Sequence, residues 1–201
     1  ASSSSTSLAA GSLAPMGISL ETAPLTEDTE ITGPLAAVLW VSSITEDMDV
    51  FLTLRNIGPD GKDVFEVGQQ AQDVAVTKGW LRASHRELDA DNSTEWQPVH
   101  PHTREQKIAP SEIVPLDIEI WPTSIVVPQG YRLAFTVRGR DYEVDGRDIA
   151  LPNAPYPMKG VGPFLHVDKD DRPPAVFDCK NTLHFAAGRQ PYLLLPIIPT
   201  A

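Results

Sequence analysis

Closely spaced histidines are the first residues of this chain that could do chemistry. His100 and His102 flank one proline, a spacing that can bring two imidazoles to one metal ion. No cysteine or carboxylate follows them at the interval that a metal site needs. We therefore predict no metal ligands here, and we expect the two histidines to hydrogen-bond to backbone or water in a proline-rich loop.

Carboxylates are densest at Asp168, Asp170 and Asp171, and calcium prefers such clustered oxygens. The spacing of an EF-hand loop and its distal glutamate are absent, and Lys169 and Arg172 partly neutralise the group. A solvated loop is therefore favoured over a calcium site, and we predict no cofactor for this chain.

Nucleophilic catalysis is the remaining possibility, and the chain lacks the turn that presents the reactive serine in α/β-hydrolases. Those enzymes hold the reactive serine in a Gly-x-Ser-x-Gly turn between a strand and a helix, and no such pentapeptide occurs here. Cys179 is the single cysteine, and the sequence around it suggests no activating base, so a partly buried apolar role is predicted. We predict no catalytic residue in this chain.

The charge of the chain excludes some classes of partner. The 201 residues carry a net charge of −11, most of it in residues 1–100, where 15 Asp and Glu face 5 Lys and Arg. An acidic surface repels phosphate, so we expect neither nucleic acid nor a membrane as partner. No run approaches the roughly 18 apolar residues of a membrane span, and the first residues do not form a signal peptide, so a cytoplasmic location is expected.

The elements that must position these residues are strands. Residues 114–121 and 131–138 alternate apolar and polar side chains with a period of two. Residues 34–43 are nearly all apolar, which indicates a strand covered on both faces or at the centre of a sheet. Helical periodicity is nowhere sustained, and the 19 prolines suit loops and edge strands. The sequence therefore predicts an all-β sandwich or barrel, with residues 1–17 as a flexible Ser- and Ala-rich arm or linker and residues 18–201 as one domain.

Candidate contact residues lie on two of the predicted strands. In the strand predicted for residues 79–88, Arg82, Ser84 and Arg86 share the side of Trp80. Aromatic residues and arginines are enriched at protein interfaces, so we predict a domain-contact or binding role for some exposed residues. These residues are Trp80, Arg82, His85, Arg86 and Trp121. The alternative for them is an ordinary exposed strand face.

Six sequence blocks together carry a family resemblance. They are residues 21–25 (ETAPL), 29–34 (TEITGP), 39–43 (LWVSS), 79–87 (GWLRASHRE), 117–123 (DIEIWPT) and 192–196 (YLLLP). In this order they resemble the C-terminal domain of X-Pro dipeptidyl-peptidases and of cocaine-esterase-like (CocE/NonD) serine hydrolases. The resemblance implies a jelly-roll sandwich of the galactose-binding type that follows an α/β-hydrolase domain, in which all three triad residues lie.

The resemblance therefore implies a non-catalytic accessory domain. Its partner would be the α/β-hydrolase catalytic domain, in the same chain or as a separate one, with a second copy of this chain as a further candidate. It would help to shape the substrate pocket or a dimer. Two other hypotheses stay open: a stand-alone carbohydrate-binding module, in which Trp96 or Trp121 stacks on a sugar, and a chain that is itself a hydrolase.

Overall fold

Two antiparallel sheets face each other in this protein, whose computed structural model describes residues 17–67, 74–143 and 165–199 and the backbone of 9–10. The strands are β1 (Ala9–Ala10), β2 (Gly17–Glu21), β3 (Thr29–Ser43), β4 (Asp49–Ile57), β5 (Asp63–Val64), β6 (Thr77–Arg82), β7 (Val114–Val127), β8 (Arg132–Arg138), β9 (Asn181–Leu183), β10 (Tyr192–Leu194) and β11 (Ile197–Ile198). A 3-10 turn covers Ala83–His85, and a one-turn helix α1 covers Pro174–Phe177. Among the described residues, no helix is both long and apolar enough to cross a membrane.

The strands divide into two sheets by their pairing. Sheet I has the order β1-β2-β8-β4, and both β5 and β6 pair with the far side of β4. Sheet II is centred on the long strand β3, which pairs with β7 on one side and with β9, β10 and β11 on the other. The predicted all-β sandwich is thus confirmed, and the jelly-roll winding stays a prediction.

The core lies between the inner faces of the two sheets. The period-two pattern predicted for β7 is confirmed, because its apolar positions are all buried: Val114, Leu116, Ile118 and Ile120. In β8, Leu133 and Phe135 are buried as the pattern predicts, yet Ala134 and Thr136 are buried as well. The chain itself covers the outer face of sheet I, and an alternating pattern cannot reveal such a cover.

The strand predicted for residues 79–88 ends early. The backbone N–H of Ala83 donates to Met48 O at 2.8 Å, and that of Ser84 donates to the Asp47 carboxylate at 2.9 Å. These bonds turn the chain into the 3-10 turn directly after Arg82, and Ser84 is fully buried. The prediction that Ser84 lies on the same side of a strand as Trp80 is therefore wrong.

The two sheets touch directly where β6 runs beside β7. The hydroxyl of Thr77 donates to Trp121 O at 2.6 Å. Gly79 lies so close to β7 that a Cβ atom on it would stand 2.2 Å from Glu119 O. Because Gly79 has no side chain, the backbones of β6 and β7 come into direct contact and close this side of the sandwich. The outer side chains of β6 therefore lie beside those of β7.

The predicted arm, residues 1–17, lies almost entirely outside the described residues. Its described part includes β1, in which Ala9 and Ala10 pair with Glu21 and Leu20 of β2. The boundary between arm and domain stays a prediction.

Candidate functional site

An open cleft of about 510 Å³ lies at the junction of β6 and β7. We call it the Trp80 cleft, after the β6 tryptophan that lines it. Its volume falls within the range of small-molecule sites, about 300–1,000 Å³. Its lining includes Trp80, Arg82, His85, His102, Glu119 and Trp121.

Aromatic rings form one side of the Trp80 cleft. The Trp80 and Trp121 ring centroids lie 5.3 Å apart at an angle of 59°, and His166 lies 5.1 Å from Trp80 on another side. Trp121 is 48% exposed, and the ammonium of Lys78 lies 5.6 Å from the centre of its ring. Burial lowers the pKa of Lys78, although the charge of Asp141 opposes this. The cleft therefore presents a large apolar surface that water still reaches.

Arg82 is held in place by two carboxylates. Its guanidinium donates to Asp49 at 2.8 and 3.1 Å and to Asp171 at 3.0 and 2.9 Å. Asp49, which is buried, also pairs with Arg172 at 2.8 Å. The Phe177 ring lies against both guanidinium groups. Its centre is 4.5 Å from the Arg82 Cζ atom and 5.8 Å from the Arg172 Cζ atom. This network fastens residues 165–178 onto sheet I, so Arg82 forms a fixed wall of the cleft.

Two histidines meet at the rim of the cleft. The Nδ1 atoms of His85 and His102 lie 3.0 Å apart. One Nδ1 therefore carries the proton and donates a hydrogen bond, and the other is unprotonated and accepts it. Burial, with the nearby charges of His85 and His100, lowers the pKa of His102. His100 instead contacts the carbonyl oxygens of Glu87 and Asp117 at 3.0 and 2.8 Å, as predicted for a loop histidine. Within the described ranges, no three His, Cys, Asp or Glu side chains are grouped as metal ligands.

Four of the five predicted contact residues line the Trp80 cleft, and Arg86 does not. The Arg86 guanidinium donates to the backbone carbonyls of Ala83 and Gln106, so it holds the turn that follows β6. Sequence reasoning missed His166 and Glu119 as cleft residues. Glu119 had a signal, since it shares the polar face of its strand with Trp121, whereas His166 is brought in by a long-range fold of the chain.

Potential nucleophiles lie elsewhere. Ser42 Oγ lies 2.8 Å from His184 Nε2, but Ser42 is buried within β3, paired with Thr182 on β9, and not in an exposed turn. Cys179 is partly buried, as predicted, and its sulfur lies 3.3 Å from the hydroxyl of Thr45. Both side chains are explained by local hydrogen bonding.

Replacing Asp141 with asparagine tests how the cleft wall is held. Asp141 accepts bonds from the His166 backbone N–H at 2.7 Å and from its ring at 3.0 Å. Burial would raise the pKa of Asp141, but these bonds and the charges of His166 and Lys78 outweigh it and lower the pKa. At pH 7 we expect Asp141→Asn to lose about 1.5 kcal/mol of unfolding free energy in urea titrations followed by tryptophan fluorescence.

The loss of unfolding free energy in Asp141→Asn should depend on pH in a definite direction. A depressed pKa stabilises the fold above the unfolded value of about 3.9, and the contribution is lost as the pH falls through the lower folded value. The difference between wild type and Asp141→Asn should therefore persist at pH 5 and narrow only below about pH 4. Asp170→Asn, on an exposed loop, is the control and should change little. A difference that vanishes by pH 6 would contradict the stabilising role assigned to the ionised Asp141 carboxylate.

Comparison with known proteins shows a similar architecture in part of several larger proteins. Residues 12–194 match the family described as the X-Pro dipeptidyl-peptidase C-terminal non-catalytic domain. A CocE/NonD family hydrolase from Staphylococcus aureus is 28% identical, with a TM-score of 0.74 over 91% of this chain and 30% of that one. An alpha-amino acid ester hydrolase at 14% identity, with a TM-score of 0.57 over 92% of this chain and 26% of that one, shares the fold.

Sequence relatives point to the same group of proteins as the solved structures. A protein of Mycobacterium bovis that carries the name "Putative serine esterase" is 27% identical over 156 residues, which are 75% of this chain and 23% of that protein. This chain therefore spans about a quarter of the curated relatives and less than a third of the solved hydrolases. These matches favour the accessory-domain hypothesis over the carbohydrate-binding one.

Proposed function

Because this chain belongs to the family of X-Pro dipeptidyl-peptidase C-terminal non-catalytic domains, we propose that it packs on an α/β-hydrolase catalytic domain and helps to wall its substrate pocket. The relatives support this, since they are named as hydrolases or an esterase and most of each one lies outside the matched region. The partner is then a serine hydrolase domain, in the same polypeptide or as a separate chain.

The single observation that carries the proposal is the tryptophan pair in the Trp80 cleft, in which Trp121 is exposed and Trp80 is half-buried. The Trp80 and Trp121 rings meet at a tilted angle, and Trp121 keeps nearly half of its surface in water. Tryptophan contributes strongly to interfaces, because it buries much apolar area at a small cost in side-chain entropy. A neighbouring domain that covers Trp121 would remove this area from water.

The wall of the cleft is preorganised for such a contact. Arg82 is fixed between Asp49 and Asp171, and the His85 ring is oriented by His102. Groups already held in one geometry lose little freedom on binding, so a substrate or a catalytic-domain loop in the cleft would meet a rigid surface. The cleft supplies a binding wall, and the proposal assigns bond cleavage to the catalytic domain.

Reconstitution tests the proposal. The chain would be mixed with the separately produced α/β-hydrolase domain of its parent enzyme, and both the dissociation constant and the kcat/KM of that domain would be measured. We expect association and a rise in kcat/KM or in thermal stability. Trp121→Ala should weaken association about 30-fold, the effect of an interface hot spot of about 2 kcal/mol.

Trp96→Ala is the matched control, because Trp96 is 54% exposed but does not line the cleft. It should leave association unchanged within about twofold. Absence of any association, with no change in activity or stability of the hydrolase domain, would contradict the proposed function.

A further inference from the structure

The two sheets differ in what covers their outer faces. On sheet I, Phe51 points outward yet is only 5% exposed, because His166 lies 5.2 Å from its ring and the Arg172 guanidinium 5.3 Å from it. The chain thus supplies its own cover there. On sheet II, Tyr192 is 44% exposed and Val38 and Trp40 are half-buried.

The outer face of sheet II carries an apolar strip. Antiparallel register places Tyr192 of β10 opposite Val38 of β3, and Leu194 opposite Ala36. Trp40 follows Val38 on the same side of β3, since side chains alternate along a strand. Directly paired side chains lie about 5 Å apart, so these residues form one surface. We call Val38, Trp40, Tyr192 and Leu194 the platform.

Apolar residues are unexpected at these positions if water covers them. An antiparallel sheet with one solvated face normally alternates apolar and polar residues, as β7 does. β3 instead has Ala36, Val38 and Trp40 on its outer side, while its inner side is buried against sheet I. Contiguous apolar surface that the chain covers only in part, as here from the exposed Tyr192 to the half-buried Val38, Trp40 and Leu194, is typical of interaction sites. The sequence of β3 fits a strand covered on both faces, and on its outer face the described chain buries Ala36 but leaves Val38 and Trp40 only half-buried.

The charge beside the platform restricts the occupant. Asp117 of β7 pairs with Val38 in register, and Glu119 pairs with Ala36. Among the described residues, no hydrogen bond or ion pair reaches the half-buried Asp117 carboxylate, and burial raises its pKa against the opposing charge of His100. A partner with an apolar centre and a lysine or arginine near Asp117 would complement this surface. A second copy fits poorly, because each copy carries a net charge of −11.

Resting on the proposed function, we infer that the platform is the surface on which the catalytic domain docks. In each relative most of the protein lies outside the region that this chain matches, which supports a large neighbouring domain as the occupant. Asp117, Glu119 and Trp121 alternate along one strand, so the platform and the Trp80 cleft are adjacent. A domain seated on the platform would place its own surface at the cleft.

Hydroxyl-radical footprinting and one variant test the inference in the reconstituted complex. On addition of the hydrolase domain, oxidation of Tyr192 should fall severalfold. Tyr192→Glu should weaken association at least about tenfold, because it brings a carboxylate into an apolar contact beside acidic residues. Val167→Glu, at a 67% exposed site away from the platform, is the matched control and should keep the wild-type dissociation constant. Urea denaturation of each variant verifies the fold.

The outcomes separate the two proposals. If wild type associates while Tyr192 stays oxidised and Tyr192→Glu binds normally, the platform inference is overturned and the proposed function stands. If wild type does not associate, both fail. If Tyr192 is protected in the chain alone through self-association that Tyr192→Glu abolishes, the occupant is a second copy, and the inference is overturned in that respect.

Discussion

Gly79→Ala should lower the free energy of unfolding by about 3 kcal/mol, the upper range for overpacking a tight contact. A Cβ atom at this position would lie 2.2 Å from Glu119 O and 3.0 Å from the Ile120 Cα atom. Both are backbone atoms of β7, so no side-chain rotation can relieve the clash. β6 and β7 must move apart, and the Thr77 bond to Trp121 O is lost with them. Urea unfolding followed by tryptophan fluorescence measures the loss.

Gly139→Ala is the matched control. A Cβ atom on Gly139 meets nothing within 4 Å, and the residue is not in the left-handed region. Its unfolding free energy should stay within about 0.5 kcal/mol of wild type. Equal stability of the two variants would mean that the sheets can separate at this edge without cost, which would contradict the closure described for the sandwich.

The β content of the fold could be read from local patterns. The period of two in β7 reports directly which side chains face the core, since one face is buried and the other is not. The Gly58–Gly61 turn was also predictable, and Gly61 takes the positive φ of 78° that favours glycine there. Each of these features depends on residues close in sequence.

Features that depend on contacts between residues distant in the sequence could not be predicted from local sequence patterns. The apolar run of residues 34–43 indicates a strand covered on both faces or at the centre of a sheet, yet Trp40 is half-buried on the outer side, because Leu39 and Val41 take the buried face. Its ring instead lies under the Arg189 guanidinium, 5.8 Å from the Cζ atom. Which side of a uniformly apolar strand faces inward is decided by the partner sheet, so the sequence pattern alone was ambiguous.

The candidate site was predicted in part for the same reason. Trp80 and Arg82 alternate within β6, so their shared side followed from the period of a strand. Arg86 was assigned by extending that period beyond the true end of the strand. The turn after Arg82 is caused by Asp47, which lies far earlier in the chain, and no pattern within residues 79–88 signals it.

Asp47→Ala is expected to lower the free energy of unfolding by about 3 to 5 kcal/mol, the range for removing one partner of a buried charged network. Asp47 is fully buried. Its Oδ1 atom accepts the backbone N–H groups of Met48 and Ser84, both at 2.9 Å, and its Oδ2 atom lies 3.2 Å from the Lys107 ammonium. One carboxylate thus joins the start of β4, the turn after β6 and the loop before β7, and its removal leaves buried donors without an acceptor.

Two further variants separate the charge from the hydrogen bonds. Asp47→Asn keeps an oxygen for both amides but loses the attraction to Lys107, so it should cost clearly less than Asp47→Ala. Asp60→Ala, an exposed aspartate in the turn after β4, is the matched control and should stay within about 0.5 kcal/mol of wild type. Calorimetry of the four proteins gives the order. If Asp47→Ala matched Asp60→Ala, packing of Met48 and Ala83 alone would hold the turn, and the orientation of His85 in the cleft would not depend on Asp47.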